Sequence, residues 1–177
     1  MYNPIGDFWS DTLDGTTNYA HGFPCWCVSI GLEYRGECVL GVVYDPNRDE
    51  LFTAASGLSA RMNGKRIAVT KRHSLSASLL ATGFPYDVQV SRENNLNYFA
   101  RFVKKAQAVR RAGSAALDLC YLGCGRFDGF WELKLHPWDT AAAIVIVEQA
   151  GGKVTDFAGE HYSICGKYNP GFQRFDS

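Results

Sequence analysis

The segment Asp11-Thr12-Leu13-Asp14-Gly15-Thr16-Thr17-Asn18 holds the residues best suited to chemistry. Two carboxylates three positions apart can aim at one point when the chain turns between them. Mg2+ takes hard oxygen ligands in octahedral geometry, usually a few carboxylates together with water and phosphate. The Leu13 carbonyl lies between the aspartates and could supply a further oxygen. Gly15 lets the backbone approach a ligand closely. The amides of Gly15 and Thr16, at the start of a helical turn, would face a phosphate, and the Thr16 hydroxyl can orient a water. The competing reading is a solvated Asp/Gly/Thr turn. A haloacid dehalogenase-type phosphatase fails on spacing, because Thr12 stands where its aspartyl nucleophile would be.

A third carboxylate follows far downstream, in Gly129-Phe130-Trp131-Glu132-Leu133-Lys134-Leu135-His136-Pro137-Trp138-Asp139-Thr140-Ala141-Ala142. Asp139 could complete a metal cluster with Asp11 and Asp14. An aspartate at a helix start also caps free amides, and Pro137 suits that position. Capping therefore competes with metal binding for the role of Asp139.

Asp-x-Leu-Asp-Gly-Thr-Thr-Asn, followed by Trp-Asp-x-Ala and an apolar helix ending Glu-x-Ala-Gly-Gly, resembles the paired signature of the inositol monophosphatase family. The spacer Arg110-Arg111-Ala112-Gly113-Ser114-Ala115-Ala116-Leu117-Asp118 fits it too, and Gly-Phe-Trp-Glu resembles the bacterial members. The resemblance runs from about Trp9 to Phe157. It implies Mg2+ ligation by Asp11, the Leu13 carbonyl, Asp14 and Asp139, with Asp14 and Thr16 as catalytic residues. Gly15 and Thr16 match the phosphate-binding and water-positioning residues. Gly113, Ser114 and Ala115 match a segment lining the substrate site, and Glu132 matches a carboxylate that hydrogen-bonds a substrate hydroxyl.

The implied reaction is hydrolysis of a phosphate monoester without a covalent intermediate, with two metal ions activating water and neutralising the departing alkoxide. Inositol monophosphate is the first expectation for the substrate. Fructose bisphosphate, histidinol phosphate and other sugar phosphates are alternatives, since related sites share the same metals. The implied fold is a layered α-β-α-β-α sandwich, usually assembled as a homodimer.

Several positions depart from the family pattern. Met1 stands ten residues before Asp11, whereas members carry several dozen residues there, including a Glu-Glu pair and a water-activating Asp. The expectation is a single domain over 1–177, lacking that helical and hairpin segment. Thr12 replaces a proline that would stiffen the loop, and Ser163 to Ser177 lacks the expected Ala-Ser-Asn strand end and final helix. Phe8-Trp9-Ser10 reads as a poor substitute for an apolar strand. A catalytically impaired remnant and a non-catalytic interaction module retaining the fold are accordingly alternative readings.

These residues need a scaffold. Trp26 to Tyr34 and Glu37 to Tyr44, rich in valine, isoleucine and aromatics around Arg35-Gly36, read as a hairpin. Glu50 to Ala55 adds a strand after Asp45-Pro46-Asn47, and Arg66 to Val69 adds one after Asn63-Gly64. Leu79 to Gly83, Phe127 to Leu133 and Lys153 to Phe157 read as further strands. Arg92 to Ala108 has the apolar spacing of an amphipathic helix. Ser114 can cap a helix reaching about Leu122, and Asp139 to Gln149 is an almost wholly apolar helix closed by Gly151-Gly152. A meander followed by alternating strands and helices defines a mixed α/β or α+β class.

The 177 residues suit one domain, and 46% hydrophobic content is ample for its core. Eighteen basic and eighteen acidic residues cancel, which argues against nucleic acid and anionic membranes as partners and for a small phosphorylated polyol or sugar. With no secretory signal pattern after Met1 and a longest apolar run of Ala141 to Val147, the expected location is cytoplasmic. The six cysteines lack paired C-x-x-C spacing, which favours buried thiols in a reducing compartment over structural zinc. His21, His73, His136 and His161 show no ligand spacing.

Overall fold

The computed structural model describes residues 6–164. Nine strands and four helices follow one another as β1 (Asp7–Asp14), α1 (Thr16–Ala20), β2 (Cys27–Tyr34), β3 (Glu37–Asp45), β4 (Glu50–Ala55), β5 (Leu58–Met62), β6 (Lys65–Arg66), β7 (Leu79–Thr82), α2 (Leu96–Phe102), β8 (Ala108–Arg110), α3 (Ala115–Gly123), β9 (Gly129–Trp131) and α4 (Pro137–Gln149). Strands β1 to β6 form an antiparallel meander in sequence order. Strands β8, β7 and β9 form a separate parallel sheet in that spatial order.

Helices α3 and α4 pack on each other between the sheets. Phe130 of β9 joins the core cluster on this side, while its neighbour Trp131 meets Phe102 of α2 at 4.6 Å between ring centroids. Alternation along β9 thus gives the small sheet two covered faces. The layers run six-stranded sheet, α3/α4, three-stranded sheet, α2. These are four layers of the incomplete α-β-α-β-α sandwich that the sequence resemblance implies.

Residues Thr140 to Val147 of α4 are all buried, which explains why this helix carries almost no polar face. Its approach to the sheet depends on two glycines. Gly31 and Gly41 pair directly across β2 and β3. A Cβ at Gly31 would stand 2.7 Å from the Ala141 Cβ, and one at Gly41 would overlap the Ala142 carbonyl. The small Ala141-Ala142-Ala143 surface therefore sits in a trough with no side chains, and this seat fixes the height of Asp139 one turn earlier.

Several elements differ from the sequence expectation. Phe8-Trp9-Ser10 belongs to a full strand, β1, whose register with β2 breaks between Asp11 and Asp14. It is largely solvent-facing, so it did not need apolar alternation. The helix expected over Arg92 to Ala108 is confined to Leu96–Phe102, and β8 begins where it was to end. The strand expected over Phe127 to Leu133 shrinks to Gly129–Trp131, and Arg66 to Val69 pairs as a strand only through Lys65–Arg66. Lys153 to Phe157 contributes a single bridge, Thr155 to His161. Strand β5 was unforeseen. The expected C-terminal departure lies outside the described residues from position 165 onward, as does Cys165. Cys25, Cys27, Cys38, Cys120 and Cys124 are free thiols.

No helix among the described residues is long and apolar enough to cross a membrane.

Candidate metal and phosphate site

Asp11, Asp14 and Asp139 each offer one carboxylate oxygen, and these atoms lie within 4.8 Å of one another. The bulge in β1 turns Asp11 and Asp14 toward a common point, and α4 brings Asp139 across from the other end of the chain.

Each carboxylate has one oxygen fixed by the protein. Asp11 Oδ1 accepts the Leu13 N–H at 2.9 Å. Asp14 Oδ2 accepts the Ser114 hydroxyl at 2.6 Å and the Ala116 N–H at 2.8 Å. Asp139 Oδ2 accepts the His136 N–H at 2.7 Å. The second oxygen of each takes no hydrogen bond among the described residues. Capping and metal ligation, which competed for Asp139 in the sequence, are compatible: one oxygen caps α4 and the carboxylate also belongs to the acidic cluster.

Three carboxylates with no imidazole or thiol among the facing atoms suit a hard divalent cation, Mg2+ included. Without one, the cluster is electrostatically costly. Burial, only partly offset by the Ser114 and Ala116 hydrogen bonds, raises Asp14 to about 6, and the charges of Asp139 and Asp11 add to the rise. Burial likewise raises Asp139, against the His136 amide and imidazole. A raised pKa means that a proton competes with the cation until the pH exceeds it. Mg2+ affinity should therefore fall as pH drops below about 6, by up to roughly tenfold per unit, and level off above about 7. Calorimetry across that range checks this; a flat affinity would remove Asp14 from the metal shell.

The remaining positions surround the cluster. Gly15 has φ of 93° and precedes α1. A Cβ there would stand 2.8 Å from the Cys25 carbonyl, so no side chain fits. The Thr16 hydroxyl donates to the Leu13 carbonyl at 2.9 Å, leaving its lone pairs available as acceptors. Ser114 caps α3 as the sequence suggested, with Oγ accepting from Leu117 N at 3.4 Å. It is buried with Ala115, its hydroxyl committed to Asp14, while Gly113 stays exposed at the rim. Glu132 packs its carboxylate against Gly83, where a Cβ would overlap it. Burial, with the charges of Asp14 and Asp139, pushes Glu132 up to about 8, and Arg111 opposes the rise.

Sequence reasoning missed several positioning residues. Asn18 Nδ2 donates to the carbonyls of Cys25 at 2.7 Å and Ala112 at 2.8 Å, tying α1 to the segment before α3. The Thr82 hydroxyl donates to the Trp131 carbonyl at 2.6 Å, and Asn95 Nδ2 donates to the Gly83 carbonyl, which locks the ends of β7 and β9. Asn18 stood inside the motif and was legible as a candidate. Asp118 was quoted in the spacer with no role; it is buried with Oδ1 unpartnered, and burial, then Glu132 and Asp14, raise it well above the usual range.

Known proteins resemble this chain in sequence and in fold. The model of the "Inositol monophosphatase family" matches residues 8–172. A protein named Inositol-1-monophosphatase from Synechocystis is 51% identical over 147 residues, covering 83% of this chain and 51% of that protein. A protein named Nus factor SuhB from Pseudomonas aeruginosa is 49% identical over 153 residues, covering 85% of this chain and 56% of its own length. The solved structure of an inositol monophosphatase from Anabaena (Nostoc) superposes with a TM-score of 0.87 at 49% identity, covering 89% of this chain and 64% of that one. The fold and site define a phosphatase-type scaffold built around an acidic cluster. The chain belongs to the inositol monophosphatase family. It spans about half the length of the curated relatives it matches.

Proposed function

We propose that this chain carries the Mg2+-dependent centre of a phosphate monoester hydrolase acting on a phosphorylated polyol or sugar, with inositol monophosphate as the first substrate to test. The observation that carries the reading is the convergence of Asp11, Asp14 and Asp139, each with one oxygen fixed and one free. When bound, Mg2+ would supply charge neutralisation at phosphorus and acidify water. Asp11, Asp14 and Asp139 would hold it, and the Leu13 carbonyl, held by Thr16, could add an oxygen.

The chain's own residues do the positioning. The Thr16 hydroxyl, fixed on Leu13, can accept a hydrogen bond from a water and so orient its attack. Gly15 admits the phosphate close to the backbone at the start of α1, where helical amides lack intrahelical partners. Glu132, on the far side of Gly83, is offered to a hydroxyl of the alcohol. The intact acidic cluster favours this reading over an interaction module that keeps only the fold, although some relatives bear the name Nus factor SuhB. Cytoplasmic location and a homodimer belong to the same proposal, on family resemblance.

Phosphate release from myo-inositol 1-phosphate, with and without Mg2+, tests the reading. Glu132→Gln separates the roles within it. Assayed above about pH 8, where Glu132 is ionised, loss of a charge-assisted hydrogen bond worth about 1.5–3 kcal/mol should lower kcat/KM roughly tenfold to a hundredfold, with Mg2+ affinity retained. A mutant that loses Mg2+ instead would move Glu132 into the metal shell.

A further inference from the structure

Gly83 leaves β7 without a side chain, and the Glu132 carboxylate fills the space that a Cβ there would take. The register sets Thr82 opposite Trp131, so Gly83 and Glu132 are the next pair along the two strands. Both strands have ended by that point, and ladder hydrogen bonds no longer hold the two residues together. So close a contact fixes Glu132 only while the Gly83 peptide keeps its place.

A buried amide supplies the missing restraint. Asn95, the residue before α2, is fully buried. Its Nδ2 donates to the Gly83 carbonyl and to Thr82 Oγ1, the latter at 3.1 Å. The Thr82 hydroxyl carries the link onward by donating to the Trp131 carbonyl at 2.6 Å. That carbonyl belongs to the peptide leading into Glu132. The Glu132 carboxylate is therefore restrained through its seat on Gly83 and through its own backbone. Two residues further on, Lys134 donates to Asp87 at 2.7 Å and to Ser91 at 2.9 Å, both in the loop whose ends Asn95 joins.

Packing alone does not call for an amide at this position. Asn95 Oδ1 and Trp131 Nε1 are buried and take no hydrogen bond among the described residues, and each such atom is a cost to stability. A leucine would escape the cost at Oδ1, yet it would leave Gly83 and Thr82 unheld. What the Asn95 nitrogen holds is the reason for the amide.

We propose that Asn95 is a positioning residue of the candidate active site: acting through Gly83 and Thr82, it sets where the Glu132 carboxylate meets the alcohol of the substrate. The inference rests on the functional reading above, in which Glu132 accepts a substrate hydroxyl.

The test is calorimetric binding of myo-inositol 1-phosphate and of inorganic phosphate, with Ca2+ replacing Mg2+ to suppress turnover, above about pH 8, where Glu132 is ionised. Asn95→Ala should weaken the ester about tenfold, while inorganic phosphate, which has no alcohol for Glu132 to meet, binds as it does to the parent. Thr82→Val should show the same selective loss, and Thr82→Ser, which keeps the hydroxyl, should recover most of it. In a Glu132→Ala background no carboxylate remains to be positioned, so adding Asn95→Ala should cost the ester less than about twofold more. If Asn95→Ala does not fold, the Thr82 pair decides by the same criterion. Equal weakening of both ligands, no weakening, or a full additional loss on top of Glu132→Ala overturns the proposal and leaves the functional reading standing. Binding of neither ligand to the unmodified chain overturns both.

Discussion

Asp14→Asn and Asp139→Asn should each reduce Mg2+-dependent phosphatase activity about a thousandfold or more, while leaving the protein folded. The donors around each side chain dictate this result. In Asp14→Asn the Ser114 hydroxyl and the Ala116 N–H demand an acceptor, so the carboxamide oxygen turns to them. Its NH2 is then presented to the cluster, where a cation needs an oxygen. The His136 amide imposes the same orientation on Asp139→Asn. Losing several kcal/mol of charge stabilisation at the reacting phosphate corresponds to at least about three decades in rate. Because each substitution also relieves repulsion in a cluster that burial already strains, the metal-free Tm should hold or rise. Steady-state phosphate release together with thermal melts without metal checks both halves. Activity near that of the parent, in either variant, would contradict the assignment.

Gly41→Val should produce the largest loss of stability. The side chain would enter the space of the Ala142 backbone carbonyl, with α4 seated on β2 and β3 and unable to retreat from α3 behind it. Overpacking of this kind costs about 3 kcal/mol or more when backbone rather than a flexible side chain must yield. The urea midpoint should fall accordingly. Whatever folded protein remains should bind Mg2+ more weakly, because lifting α4 carries Asp139 away from Asp11 and Asp14. A control at Gly57, where an added Cβ meets nothing within 4 Å, tests turn strain alone, its φ being 79°. Equal losses at the two positions would show that the trough is not what matters.

The ligating residues were legible in the sequence because two local motifs carry them, each with a composition that few other roles require. Strands β2, β3 and β4 were legible for a different reason: their inner faces are buried, so alternation of valine, isoleucine and aromatics survives. Strand β1 was misread since an edge strand with a mostly exposed pattern needs no such alternation. The α2 expectation ran long because apolar spacing continues to Ala106, whereas the chain leaves the helix after Phe102 for β8.

Long-range geometry was not legible. Nothing local announces that Gly31 faces Gly41, that Gly83 must be bare for Glu132, or that Ser114 caps α3 and holds Asp14 at once. Asp118 shows the same limit. Its place in the first turn of α3 is an ordinary helix-dipole position, and only the packed structure reveals a buried carboxylate with an unpartnered oxygen.

The most direct test of the acidic cluster is a calorimetric titration of the metal-free chain with Mg2+ at about pH 7.5, run beside Asp14→Asn. The account predicts saturable binding to the unmodified chain, with proton release growing as the pH is lowered toward that of the Asp14 carboxyl, about 6, and no binding by the variant. Equal heats from both proteins, or none from the unmodified chain, would contradict the claim that Asp11, Asp14 and Asp139 form a metal centre.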